Sequence, residues 1–270
     1  MTAMELIRRR RSVRTFDGNP LKEEDIKRVL AITEDADNPY GIPITWKLLD
    51  VKRDNLKSPV IVGADTFIAG KMQQVPHAEE AFGYSFEKIV LAVEEIGLGT
   101  TWIAGTMDRP AFERAMELGD GEVMPCVSPI GYPAKKMSLR EGMMRKGVKA
   151  DVRLPFEELF FSESFGKPVA VSDKVRDILE MVRWAPSAVN KQPWRVVVCG
   201  ETAHFYEQKS KGYVSNNGWD LQKIDMGIAL YHFVYGAEDQ GFQAELKLED
   251  PGIVAPEKTD YIASVVLRDK

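Results

Sequence analysis

The sequence runs twice through the same series of signals, and this repetition constrains the fold more than any other feature. An amphipathic helix is predicted over residues 21–32, and a short β-type run follows it at Trp46. A second amphipathic helix is predicted over residues 174–181, and Trp194 opens the next β-type run. The helical positions recur at an offset of 149 residues and the two tryptophans at an offset of 148. Internal duplication explains this order better than chance does.

Each pass also contains one strongly apolar helix and one closing strand. Gly97 and Gly241 follow the two apolar helices, at positions 144 residues apart. No Gly/Ser-rich linker separates the passes, so we expect two α+β halves, residues 1–160 and 161–270, that share one core. The first half is predicted to contain helices over 21–32 and 82–96 and β-type runs over 46–51, 59–63 and 125–131; the second, helices over 174–181 and 225–237 and runs over 194–199 and 261–267.

Composition excludes several classes of protein. The 270 residues include 36 Lys and Arg against 41 Asp and Glu, a net charge of −5, which argues against nucleic acid or an anionic membrane as the main partner. The two cysteines, Cys126 and Cys199, form neither a disulfide framework nor a metal-ligand pattern, so we expect no metal. No window approaches the roughly 20 apolar residues of a membrane helix. The sequence predicts a soluble cytoplasmic protein.

A basic segment, residues 10–14, is the first motif with chemical potential. In an extended chain alternate side chains share a side, so Arg10, Ser12 and Arg14 would present two guanidinium groups and a hydroxyl in one direction. Guanidinium binds phosphate through paired hydrogen bonds, so a phosphomonoester would fit here. A solvated basic N-terminus and a polyanion-binding arm are the alternatives, and the net negative charge weakens the second.

A carboxamide loop, residues 186–192, is the second motif. Pro186 stops the preceding helix, and Pro193 enforces an extended entry into the next strand. Ser187, Asn190 and Gln192 therefore lie in a short, stiff loop. A carboxamide carries a donor and an acceptor side by side, which complements an imide edge such as that of a flavin. A helix C-cap with an Asx-turn, leading into a buried strand, is the structural alternative.

Together the two motifs resemble the FMN-dependent nitroreductase family, in the branch where two repeats are fused in one chain. The resemblance covers most of the chain, and it implies an α+β nitroreductase-like sandwich, a mixed sheet flanked by helices, with two fused repeats forming a pseudo-dimer. A monomer that mimics a dimer is expected. The further matching stretches are EEIGLG at 94–99, WIAG at 102–105, GYP at 131–133 and RLPFEEL at 153–159.

The resemblance also implies one FMN per chain. Family dimers bind each FMN between subunits, and both motifs normally lie in one subunit, whereas here they fall in different halves. When the halves are aligned, the counterparts of the basic segment cannot hold a phosphate, and one of them is an acid expected to be buried. The counterparts of the carboxamide loop cannot form hydrogen bonds with a flavin edge. These counterparts are Leu159, Phe161 and Glu163 for Arg10, Ser12 and Arg14, and Pro39 and Ile42 for Ser187 and Asn190.

Residue roles are carried over from the family by position. Ala104 stands where many relatives carry Glu, which leaves the surroundings of the flavin N5 in doubt, and Gln192 and Trp194 are interpreted as structural. No side chain is assigned a catalytic role. The expected FMN-binding residues are Arg10, Arg11, Ser12 and Arg14 with Arg153 and Lys149 on the phosphate side, Pro186, Ser187 and Asn190 at the ring, and Ile103, Ala104 and Gly105 beside N5.

The expected activity follows from these roles. The resemblance implies an FMN-dependent NAD(P)H oxidoreductase that reduces nitroaromatics, quinones or similar small acceptors in a ping-pong reaction. A flavin-binding or regulatory scaffold without turnover is the alternative. Residues 204–219, long, aromatic and polar, are predicted either to cover the flavin or to form a surface loop.

Overall fold

The structure, a computed structural model, describes residues 1–214 and 218–270. These residues form two compact units: an N-terminal unit of residues 9–150, and a C-terminal unit of residues 151–270 with residues 1–8. The chain therefore divides at residue 150, whereas the sequence placed the boundary at 160. The first eight residues join the C-terminal unit, where the Ala3 amide donates to Asp239 at 3.3 Å.

The N-terminal unit is built on an antiparallel sheet. The strand order is β1-β2-β5-β3, and the short β4 pairs with β2. Helix α3 is buried along most of its length, which confirms the prediction of a central apolar helix. The elements are α2 (Glu23–Glu34), β1 (Thr45–Asp50), β2 (Thr66–Gln73), α3 (Ala78–Glu95), β3 (Gly99–Thr100), α4 (Arg109–Met116), β4 (Glu122–Val123), β5 (Val127–Gly131) and α5 (Leu139–Gly147).

The C-terminal unit contains a mixed five-stranded sheet. Its order is β6-β7-β8-β10-β9, in which β6 and β7 are parallel and the other pairs are antiparallel. The Leu154 amide donates to Gln192 and Arg183 donates to the Leu154 carbonyl, so the segment before residue 160 folds with this unit. The elements are α1 (Ala3–Arg9), α6 (Phe156–Leu159), β6 (Phe160–Ser162), α7 (Asp173–Arg183), β7 (Trp194–Cys199), β8 (Thr202–Gln208), α8 (Leu221–Asp239), β9 (Phe242–Lys247) and β10 (Thr259–Asp269).

The two units, each taken by itself, share one topology. The order β1-β2-β5-β3 corresponds strand for strand to β7-β8-β10-β9, and an apolar helix follows the second strand in each case. Amphipathic helices α2 and α7 precede the first strands. The α+β class and the positions of the main predicted helices and strands are confirmed.

One local prediction was wrong, and one strand was missed. Residues 59–63 form no strand, and Val62 makes only an isolated bridge with Thr15. The sequence analysis missed β2, whose interior Gly70 is an unfavourable strand residue. A side chain at Gly70 would meet the rings of Trp46 and Phe82, so glycine is needed there for packing.

The prediction for residues 204–219 is also corrected in part. The first of these residues belong to β8, where Phe205 and Tyr206 are buried rather than part of a surface loop. The prediction for residues 215–217 lies outside the described residues. No helix within residues 1–214 and 218–270 is both long and apolar enough to cross a membrane.

Candidate functional site

The basic segment is extended, which is the condition under which Arg10, Ser12 and Arg14 would share a side. The Val13 amide donates to the Thr100 carbonyl at 2.8 Å, and the Val62 amide donates to the Arg14 carbonyl at 2.9 Å. Val13 is buried at 2% exposure, and its side chain lies so close to Gly99 that a Cβ there would come within 2.9 Å of it. Backbone pairing on both sides therefore fixes the segment against the sheet of the N-terminal unit.

Acidic side chains hold two of the three arginines in the segment. The buried Arg10 places its Nε 3.9 Å from a carboxylate oxygen of Glu87, which is also buried. Arg11 places a guanidinium nitrogen 3.2 Å from Glu141. These acids come from α3 and α5, far away in sequence, and sequence analysis gave no sign of them. Their charges partly neutralise Arg10 and Arg11.

Glu141 is the centre of this arrangement. Its carboxylate is almost completely buried, and it accepts hydrogen bonds from the Arg14 amide at 3.2 Å and the Thr15 hydroxyl at 2.7 Å. Ser138 caps α5 by accepting from the Glu141 amide at 3.2 Å, which positions Glu141 in the first turn of the helix. One buried carboxylate thus fixes the backbone of the basic segment.

Arg14 differs from the other two arginines. Within the described residues its half-buried guanidinium group forms no hydrogen bond and no ion pair. Burial lowers the pKa of Arg14, Glu141 raises it and the nearby Arg145 lowers it. The Arg10 Nε is also buried without a hydrogen-bond partner among the described residues. Donors left unpaired in a partly buried cationic site fit a phosphate group.

The segment assigned to N5 lies at the edge of the same sheet. Ile103 is buried and exchanges two backbone hydrogen bonds of 2.9 Å with Val127. The Ala104 carbonyl accepts from the Arg109 guanidinium at 2.6 Å, while Gly105 is exposed and has open space where a Cβ would stand. Arg109 also donates to the carbonyls of Met124 and Pro125. The structure therefore places these three residues on a backbone that Arg109 holds.

The carboxamide loop lies in the C-terminal unit and has an unusual backbone. Val189, Asn190 and Gln192 all have left-handed conformations, with φ of 51°, 55° and 51°. Each left-handed residue that is not glycine costs about 1–2 kcal/mol. The loop therefore keeps this conformation only because other groups hold it.

Side chains of the loop supply part of this support. The Ser187 hydroxyl accepts from the Gln192 amide at 2.8 Å, and Gln192 in turn accepts from the Leu154 amide at 2.9 Å. The Asn190 side chain donates to the Val152 carbonyl at 2.9 Å. Gln192 and Trp194 are buried, in line with the structural role predicted for them. Pro186 is half-buried beside Ser187.

Arg153 lies with the carboxamide loop. Its guanidinium group stacks over the Trp184 ring at 5.0 Å, and one nitrogen is 3.5 Å from the Asn190 side-chain oxygen. Lys149 is an exposed residue of the N-terminal unit with φ of 49°. The residues expected on the phosphate side are thus divided: the basic segment and Lys149 belong to one unit and Arg153 to the other.

A buried aspartate beneath the loop was missed by the sequence analysis. Asp225, 3% exposed, accepts a hydrogen bond from the Ala188 amide, with its two oxygens at 3.0 and 3.1 Å. Burial raises the pKa of Asp225 well above its usual value, the Ala188 hydrogen bond opposes the rise, and Asp220 and Glu207 add to it. The only signal in the sequence was an acid inside an otherwise apolar helix.

Glu207 is a second buried acid near Asp225. It is fully buried on β8, and neither carboxylate oxygen has a hydrogen-bond partner within the described residues. Burial, together with the charge of Asp220, raises the pKa of Glu207 to about 7. Within the described residues, no cluster of His, Cys, Asp and Glu could hold a metal ion.

One expectation about the degenerate counterpart of the site was wrong. Glu163, predicted to be a buried acid, has a side chain that is 72% exposed and pairs with Lys167 at 3.1 Å. Leu159 is in the core, and Phe161 packs against Phe165. These residues offer no donor for a phosphate, as predicted.

Comparisons with known proteins match nearly the whole chain. A protein-family model described as "Putative TM nitroreductase" matches residues 2–237. A crystal structure described as that of a putative nitroreductase from Thermotoga maritima aligns with a TM-score of 0.65 and 20% identity, covering 99% of this chain and 94% of that one. No protein among those with curated functions matches this sequence.

Other solved structures align with only part of this chain. An FMN-dependent nitroreductase from Clostridium difficile aligns with a TM-score of 0.42 and 18% identity, covering 52% of this chain and 94% of that one. Iodotyrosine deiodinase, bound to FMN and 3-iodo-L-tyrosine, aligns with a TM-score of 0.42 and 16% identity, covering 50% of this chain and 92% of that one. Each of these chains is matched by about half of the present one.

Proposed function

Since the chain belongs to the family described as "Putative TM nitroreductase" and is therefore an oxidoreductase, we propose that it binds one FMN and uses NAD(P)H to reduce small electron-poor acceptors. One observation carries this proposal. Arg14 is a half-buried cation, without an ion-pair partner among the described residues, on a segment that buried Glu141 holds in place. A solvated basic arm would have no such support, so an anion such as the FMN phosphate is the expected ligand.

The basic segment would bind the phosphate mainly through Arg14. Its guanidinium group and the Arg10 Nε supply donors, and the Ser12 hydroxyl lies between them on the extended chain. Arg11, paired with Glu141, would contribute less. Lys149 and Arg153 remain part of the proposal as residues that add positive charge.

The carboxamide loop would contact the flavin ring through Pro186, Ser187 and Asn190. The family resemblance, rather than any distance in the structure, assigns these residues to the same flavin as the basic segment. Ile103, Ala104 and Gly105 would lie beside N5, where the exposed Gly105 leaves room for an approaching ring. Hydrogen-bond donors and cations beside the pyrimidine ring would stabilise negative charge that develops on it.

Electron transfer needs no side-chain nucleophile. When bound, FMN accepts a hydride from NAD(P)H and passes the electrons to an acceptor such as a nitroaromatic or a quinone. The protein positions the ring and admits donor and acceptor in turn, which is a ping-pong order. An exposed Gly105 and an Ala104 without a polar group leave that position open to a neutral, planar acceptor.

A flavin-binding scaffold without turnover is the second candidate. Arg10 and Arg11 are already paired with Glu87 and Glu141, which reduces the positive charge available to a phosphate. Ala104 lacks the side chain that many relatives carry at this position. Binding of FMN without oxidation of NADH or NADPH would favour this candidate.

The first experiment is titration of the desalted protein with FMN, followed by absorbance and flavin fluorescence. We expect about one FMN per chain, weaker binding in Arg14→Gln and in Asn190→Leu, and unchanged binding in Arg53→Gln, the control. Arg53 is an exposed arginine paired with Asp54. NADH or NADPH oxidation that depends on an added nitroaromatic or quinone then tests turnover. A wild-type protein that binds no FMN contradicts the proposal.

A further inference from the structure

The left-handed backbone of the carboxamide loop requires support from outside the loop. Val189 is a β-branched, exposed residue at φ of 51°, a conformation that gains nothing from burial of its own side chain. Ser187 and Gln192 tie the ends of the loop together, but neither bond reaches the middle of it. Outside the loop, the Val152 carbonyl accepts from the Asn190 side chain, and a second external group attaches at the amide of Ala188, next to Val189.

That external group is Asp225 of α8. Both of its carboxylate oxygens lie within hydrogen-bond distance of the Ala188 amide, at 3.0 and 3.1 Å. Asp225 is 3% exposed in the apolar helix. Burial of a carboxyl group costs free energy of folding, so a specific role is expected for it. The raised pKa of Asp225 reflects the same cost.

We propose that Asp225 is a positioning residue for flavin binding: its buried carboxyl group holds the Ala188 amide and thereby fixes Ser187 and Asn190 in the conformation that binds the ring. This inference rests on the proposed function for the role of the loop. The contact itself is independent of the flavin, because all of these residues belong to the C-terminal unit. Asp225 touches the backbone rather than the ligand, so its effect on the flavin is indirect.

Other groups near Asp225 do not replace it. Glu207 and Asp220 are acidic and cannot donate to it while charged, and each raises the pKa of Asp225. Tyr213 also lies close enough for Asp225 to raise the pKa of its hydroxyl, after burial as the main cause. The Ala188 amide is the one donor to Asp225 whose bond lengths the structure gives, and removing the acceptor leaves that amide unpaired.

Two variants separate the hydrogen bond from the charge. Asp225→Asn keeps an oxygen that accepts from the Ala188 amide, whereas Asp225→Leu has a similar shape and no acceptor. Ser264→Ala is the control, because Ser264 is a buried residue of β10 that bonds His204 and Tyr261 and not the loop. Its loss lowers stability without touching Ala188.

The test combines hydrogen exchange without FMN and binding with FMN. Exchange of the Ala188 amide, followed by NMR of ¹⁵N-labelled protein, should become at least about tenfold faster in Asp225→Leu, while amides of β7 exchange as in the control. Asp225→Asn should retain most of the protection. The dissociation constant of FMN should rise at least about tenfold in Asp225→Leu and less than about threefold in Asp225→Asn and Ser264→Ala.

The outcomes distinguish this inference from the proposed function. If the wild type binds no FMN, the proposed function fails, and the exchange of Ala188 still decides whether Asp225 holds the loop. If the wild type binds FMN and Asp225→Leu binds it equally well, the positioning role is overturned and the proposed function stands. Equal Ala188 exchange in the wild type and Asp225→Leu also overturns it. An effect as large in Ser264→Ala would assign the loss to stability alone, and would overturn it too.

Discussion

At the scale of single residues, the protein contains several buried acids, a feature that its composition alone does not indicate. Glu87, Glu141, Glu207 and Asp225 are each at most 3% exposed. Two of them organise arginines, and Asp225 holds a backbone amide. Only Glu207 lacks a hydrogen-bond partner among the described residues on both oxygens, so its charge has no direct compensation.

Glu207 should make stability depend on pH. Its pKa is about 7 when folded and 4.5 without the fold, so between these values the folded state keeps a proton that the unfolded chain releases. The free energy of unfolding should therefore fall as pH rises from about 4.5 to 7, by up to about 3 kcal/mol. The charged groups around it are Asp220, Lys209, Lys223 and Asp260.

Glu207→Gln tests this directly, because glutamine has nearly the same shape and does not titrate. Urea unfolding from pH 4.5 to 8 should show a flatter pH dependence in this variant and higher stability than the wild type at pH 8. Glu257→Gln, a change at an exposed glutamate, should follow the wild type. The same slope in Glu207→Gln and the wild type would show that Glu207 does not titrate differently on folding.

At the scale of elements, most helices and strands follow from local sequence. Residues 194–199 were predicted as a strand and form β7 with the same bounds, since three consecutive valines lie there between turn signals. Strand β2 was not predicted, because it contains Gly70, which is unfavourable in a strand by itself. Glycine is required there by the rings of Trp46 in β1 and Phe82 in α3. Tertiary packing thus requires glycine at position 70, although local sequence preferences disfavour glycine in a strand.

Gly70→Ala should destabilise the N-terminal unit. The added Cβ would press on the rings of Trp46 and Phe82, and overpacking of this kind costs about 1–3 kcal/mol. Urea unfolding measures the loss. Gly147→Ala is the control, because Gly147 ends α5 with open space around it. Equal stability of Gly70→Ala and the wild type would mean that the two rings move aside freely.

At the scale of the whole molecule, two units of the same strand order lie on one polypeptide. The proposal of duplication and fusion accounts for this order and for the separation of the two motifs by about two thirds of the chain. It also predicts that the chain by itself supplies both sets of FMN-binding residues, so no second copy is needed.

This predicts a monomer that binds one FMN. Light scattering at several concentrations should give a mass near 30.4 kDa with and without FMN, because the proposed pseudo-dimer would be complete in one chain. Titration of the same samples should give about one flavin per chain. A stable homodimer, or two flavins per chain, would contradict the proposed fusion of two repeats with one surviving site.

The sequence by itself determined the α+β class, the repeated order of elements and the two motifs, because helix periodicity, strand runs and turn residues act over short distances. It also predicted that Gln192 is structural. The tertiary structure alone decided which acids meet the motifs. Glu87, Glu141 and Asp225 come from helices that are distant in sequence, and only the fold brings each of them to its partner. The division at residue 150 also comes from tertiary structure, since hydrogen bonds of Leu154 and of Ala3 attach residues 151–159 and 1–8 to the C-terminal unit.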